Sequence, residues 1–139
     1  MPNEVDVEQY LEKLQSEVGI EKFFEKKDRK AFFLPFGQRN ILIFVSDTRF
    51  FFSANVGTLP KDEEAIEPFC IHLLFANYLG QGTSNSCLGL SPDKQTITLT
   101  MDVRGDTDYR MFKEAMEEYV NYFDYWIEEI EQKKIRDLK

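Results

Sequence analysis

The sequence predicts an α+β fold in the order α-β-β-β-α-β-β-α, a single domain over residues 1–139 in which helices flank an antiparallel twisted sheet. Three observations point there. Apolar residues recur at helical spacing in three separate stretches. Five short runs rich in β-branched and aromatic residues lie between turn-type residues. A length of 139 residues fits one domain with a real core.

The first helix is expected over Asp6–Val18, where Val7, Tyr10, Leu11, Leu14 and Val18 share a face. Asp6 can cap its N-terminus, with Gln9 placed for a capping box, and Gly19 suits its stop. The next stretch, EKFFEKKDRK, is mixed in pattern and favours no element. Three strands follow, Ala31–Phe36, Asn40–Ser46 and Arg49–Val56, with turns at Gly37-Gln-Arg and Asp47-Thr, which makes a three-stranded meander. A second helix over Asp62–Leu79 is entered through Leu59-Pro60 and ends at Gly80. Pro68 lies inside it, and a separate or kinked first segment is expected there, because proline cannot donate the helical bond. After the loop GQGTSNS come two short strands, Cys87–Leu90 and Thr96–Val103, around Pro92-Asp93-Lys94. Thr107 can cap a long last helix, with Arg110 instead of an acid at the capping-box position. Its stripe runs through Phe112, Met116, Tyr119, Val120, Phe123, Ile127 and Ile130, and the cationic KKIRDLK complements the helix dipole.

The strand faces are unequal. Thr96–Val103 alternates apolar and polar residues, as a half-buried antiparallel strand does. The meander is apolar on both sides. One face carries Phe32, Leu34, Ile41, Ile43, Phe50 and Phe52; the other carries Phe33, Leu42, Phe44 and Phe51. Either the first or last helix covers that second face, or it stays bare as a binding surface. The second helix is apolar all round, through Phe69, Ile71, Leu73, Leu74, Phe75, Ala76, Tyr78 and Leu79. Such a helix is buried all round. One sheet covers one side of it; a second subunit covers the other, unless the helix is central to the core.

Composition excludes several classes. The chain is 42% hydrophobic, which makes it globular rather than disordered. A net charge of −8 argues against nucleic acid and against an anionic membrane surface. No apolar run is long enough to span a bilayer, and the acidic MPNEVDVEQY lacks the order of a signal peptide. Cys70 and Cys87 read as free thiols in a reducing cytosol.

No motif carries catalytic or metal chemistry, and no cofactor is implied. Gly80-Gln-Gly-Thr-Ser follows a helix, whereas a phosphate cradle precedes one, and it lacks a lysine; it reads as a helix end and turn. His72 is the only histidine, and with two scattered cysteines it makes no zinc site. Asp102, Asp106 and Asp108 fit no calcium loop. The acidic runs at Asp62, Glu117 and Glu128 read as solvated surface.

The block ANVGTLPKDEEAIEPFCIHLLFANYLGQGTSNSCLGLSPDKQTITLTMDV resembles the class I type III secretion chaperones, the Tir-chaperone family. The marks are Gly57 with Leu59-Pro60, Leu73 to Gly80, Gly82-Thr83, Leu88-Gly89-Leu90 with Pro92-Asp93, and a last helix with Tyr119-Val120-Asn121 and Trp126. The likeness covers about residues 5–131. It implies a small acidic protein of the bacterial cytoplasm, without catalysis, that holds a non-globular N-terminal segment of a secreted effector or translocator. It implies a homodimer, or a heterodimer with a related chaperone, built on the second helix and the following strand. Phe69, Leu73, Leu74, Asn77, Tyr78 and Leu88 are then interface residues. Cargo runs along the first helix and the sheet, and can add a strand to a sheet edge; Leu11, Leu14, Phe33, Leu42, Phe44 and Phe51 are then cargo residues. Two other classes compete: a dimeric peptide- or partner-binding adaptor outside secretion, and a small enzyme needing a polar pocket residue such as His72 or Cys87.

Overall fold

The computed structural model describes residues 7–28, 30–46, 49–80, 82–104 and 106–137. The Asp6 cap and the Asp47-Thr48 turn expected from the sequence lie outside these residues. Helix α1 is Val7–Val18, followed by strands β1 Glu25–Asp28, β2 Ala31–Phe36, β3 Arg39–Ser46 and β4 Arg49–Thr58. Helix α2 is Glu63–Asn77, continued by a single 3-10 turn at Tyr78–Gly80; β5 is Ser86–Leu90, β6 Thr96–Arg104 and α3 Tyr109–Asp137. The strands form one six-stranded antiparallel sheet in the order β1-β2-β3-β4-β6-β5.

One strand, β1, goes beyond the sequence expectation. Its four residues, EKKD, are all exposed, so no apolar alternation marks it; it exists because β2 offers it an edge. Charged residues on an edge strand also discourage unwanted pairing. The other elements sit where periodicity puts them. Gly19 (φ 75) ends α1, its N–H donating to Gln15 O at 2.9 Å. Gly37 (φ 65) takes the first position of the two-residue turn between Phe36 and Arg39, which left-handed backbone favours.

Two expectations are corrected at helix starts. The α3 cap is Asp108, not Thr107: the Asp108 carboxylate accepts from Met111 N at 2.8 Å, while the Thr107 hydroxyl turns back to Arg104 O. Helix α2 is capped by Asp62, accepting from Glu64 N at 3.1 Å, and runs through Pro68 as one helix. Pro68 is tolerated because it and Glu64 are exposed near the helix start, where water meets the carbonyl left without a donor.

All three helices lie on one side of the sheet. The inward residues Phe32, Leu34, Ile41, Ile43, Phe50, Phe52, Ile97, Leu99 and Met101 are buried against Leu11 and Leu14 of α1, Phe69 of α2, and Phe112, Tyr119, Phe123, Trp126 and Ile130 of α3. Phe52 stacks on Tyr119, which stacks on Phe123. The Tyr119 hydroxyl donates to Leu99 O at 2.6 Å, and burial pushes its phenol far above the ordinary tyrosine range. A Cβ on Gly57 would lie 2.7 Å from Ile130 Cγ2, so α3 approaches β4 only because that residue is glycine.

Candidate interaction surfaces

Among the described residues, two clusters of large apolar side chains stand on open faces of the sheet and of α2. The first is the outward face of the meander. The register places Phe33 beside Leu42, Ala31 beside Phe44, and Phe44 beside Phe51. Phe44 is 43% exposed; Phe33, Leu42 and Phe51 are half-buried by one another and by the strands they stand on. No helix among the described residues packs on them. Lys27 reaches over the Phe33 ring at 5.1 Å. Across β4 the face turns polar, with Ser53, Asn55 and the threonines of β6; Ser53 and Thr100 hydroxyls are 3.2 Å apart. Arg49 and Asp102 form an ion pair at its border.

The second surface is a stripe on α2. Ile71, Leu74, Phe75 and Tyr78 recur at helical spacing and are 45%, 67%, 71% and 61% exposed. The opposite side of α2 faces the chain itself, through buried Phe69 and half-buried Leu73 and Ala76. Asn77 fixes this orientation. Its side-chain amide donates to Leu88 O and accepts from Leu88 N, both at 2.8 Å. The amide thus stands where a further strand would pair with β5. The loop after α2 holds it from the other end: Gly82 N donates to Ala76 O at 2.8 Å and Trp126 Nε1 donates to Gly82 O at 2.9 Å.

The residues expected to contact partners therefore divide. Phe33, Leu42, Phe44 and Phe51 meet on one open face, and Leu74 and Tyr78 on the other. Leu11 and Leu14 point into the core, although Leu14 also floors a groove between α1 and α3 with Val18, Phe23, Met116 and Val120. Phe69 and Leu88 are core, Leu73 packs on it, and Asn77 serves its own chain. Ile71 and Phe75, which complete the stripe, were not among those expected; their spacing from Leu74 and Tyr78 was the available signal.

Residues weighed for chemistry are dispersed. His72 Nε2 lies 3.4 Å from Glu129 Oε1, and its ring meets Trp126 edge-on, so it joins α2 to α3. Cys70 is half-buried on α2 and Cys87 is exposed on β5. Asp102 pairs with Arg49, Asp106 with Arg104 and Asp108 with the α3 backbone. Among the described residues no group of three acidic, histidine or cysteine side chains could hold a metal ion, and no helix is long and apolar enough to cross a membrane.

Residues 9–127 match the model of the Tir chaperone protein (CesT) family. The chain belongs to that family. A Chlamydia pneumoniae protein, CPj0713/CpB0740, is 23% identical over 131 residues, covering 89% of this chain and 95% of that one. Among solved structures, the ExsC-ExsE complex contains a chain similar in fold, with a TM-score of 0.69 at 13% identity, covering 92% of this chain and 96% of that chain. YbjN from E. coli, described as a putative transcription regulator, has a TM-score of 0.65 at 15% identity, covering 91% and 92%. At 13% and 15% identity, these two structural likenesses are likenesses of fold.

Proposed function

We propose that this chain is a cytoplasmic type III secretion chaperone that binds a non-globular N-terminal segment of an effector or translocator and keeps it fit for export, without ATP and without catalysis. Membership of the Tir chaperone family gives the chaperone class. The observation that carries the rest is the bare outer face of Phe33, Leu42, Phe44 and Phe51, backed by a sheet whose helices all lie opposite. An extended segment without a core of its own can cover such a face, its side chains anchoring in turn on the aromatic patch. The α2 stripe of Ile71, Leu74, Phe75 and Tyr78 supports a homodimer, or a heterodimer with a related chaperone, because a helix exposed on one apolar face needs a matching surface.

The second reading is a dimeric adaptor for a folded partner outside secretion, built on the same fold, which YbjN also has. Pull-down from the native cell, then limited proteolysis and mass spectrometry of the complex, separates the two. A chaperone leaves one N-terminal stretch of the partner protected, and ATP does not release it. Protection throughout a folded partner would replace the chaperone reading with the adaptor. His72→Ala and Cys87→Ser should leave binding intact; loss of function with fold and dimer preserved would revive the enzyme.

A further inference from the structure

We propose that a notch between β3 and β4 on the outer face selects cargo segments in which a carboxylate side chain adjoins a large apolar residue. This rests on the chaperone reading and names the chemistry of what that face binds. Pairing of β3 with β4 stops at Leu42 and Ser53. Yet β2 stays paired to β3 as far as Phe36 and Arg39, and β4 to β6 as far as Thr58 and Thr96. The two middle strands therefore part while each keeps its other neighbour. A register shift in β4 between Asn55 and Gly57 falls at this opening, and a bulge bends a strand away from its partner.

The opening is lined by Phe33, Leu42, Asn40, Ser53, Asn55 and Arg39. Phe33 and Leu42 give it an apolar floor, half-buried and continuous with Phe44 and Phe51. The Asn40 and Asn55 amides each offer donors and an acceptor, as an extended peptide backbone requires. Arg39 bridges the gap, its Nη1 donating to Asn55 O at 3.0 Å. That bond uses one of five guanidinium donors and holds the group in place. No carboxylate among the described residues pairs with Arg39, whereas Arg49, at the border of the aromatic patch, is matched by Asp102. In a chain of net charge −8, a guanidinium with donors to spare is a local site for an anion. Next to an apolar floor it fits an acidic side chain beside leucine, isoleucine or phenylalanine.

Random peptides displayed on phage, panned on wild-type protein and on Arg39→Gln, test this, followed by fluorescence anisotropy with peptides carrying Glu or Gln beside one leucine. Wild type should enrich acidic–apolar neighbours and prefer the Glu peptide by about fivefold, less at high salt. Arg39→Gln should lose that preference while binding the Gln peptide as before, and Arg39→Lys should retain part of it. Wild type enriching apolar peptides without acidic neighbours, or Arg39→Gln keeping the Glu preference, overturns the notch and leaves the chaperone. Wild type enriching no apolar-anchored peptide overturns both. If Arg39→Gln does not fold, the wild-type Glu-to-Gln ratio and its salt dependence decide alone.

Discussion

Truncating Phe75 should take the proposed dimer apart without unfolding the protomer. Phe75 is 71% exposed and lies outside the core cluster. A phenylalanine presents about 200 Å², so about 140 Å² of it is uncovered in the single chain. Covering that area contributes about 3.5 kcal/mol at about 25 cal/mol per Å². A two-fold interface contains the residue twice, giving an upper value of about 7 kcal/mol. Ordering and imperfect fit reduce such values, and about 2 kcal/mol per copy is a fair expectation for a central aromatic anchor. Phe75→Ala then costs about 4 kcal/mol and raises the dimer dissociation constant roughly a thousandfold. Sedimentation velocity over a dilution series reads this directly, with far-UV circular dichroism as the control for fold. A variant that sediments as wild type at every concentration would refute the stripe as interface.

Three further outcomes follow from the same geometry. Phe51→Ala should weaken binding of the cargo segment about tenfold or more in calorimetric titration while changing denaturation little; a large loss of stability with affinity unchanged would make Phe51 ordinary core. Asn77→Ala leaves the outward N–H and C=O of Leu88 unmatched and should cost about 1–3 kcal/mol in urea unfolding; no change would mean that the amide does not hold β5. Gly57→Ala should cost about 1–3 kcal/mol through its collision with Ile130, and combined with Ile130→Ala the loss should be less than the two separate losses together; strict additivity would show that Ile130 is not the obstacle.

Periodicity made most of the architecture legible. Helix and strand spacing placed three helices and five of six strands, because those elements bury a face and the pattern records it. Strand β1 escaped because EKKD buries nothing; only its pairing with β2 defines it. Apolar character on both faces of the meander was visible in Phe51 and Phe44, but which face the helices take depends on the connections, which spacing does not encode. Leu11 and Leu14 show the same gap: a stripe marks what will be covered, not whether the cover is α3 or a partner. Pro68 pointed to a break that its exposed position makes unnecessary. The opening beside Arg39 was invisible, since neither the point where β3 and β4 stop pairing nor the register shift in β4 is written in side-chain spacing.

Asn77 has a consequence for scale. By bonding both backbone groups of Leu88, it locks α2 to β5, and β5 belongs to the same sheet as the aromatic patch. The stripe and the patch cannot shift independently. If two copies meet through the stripe, the separation of their two patches is a fixed length, held within each chain by that amide together with the packing of Phe69 and Leu73. A segment spanning both must match that length in residues. The pair would then act as a ruler, measuring how much unfolded polypeptide it accepts as well as which side chains.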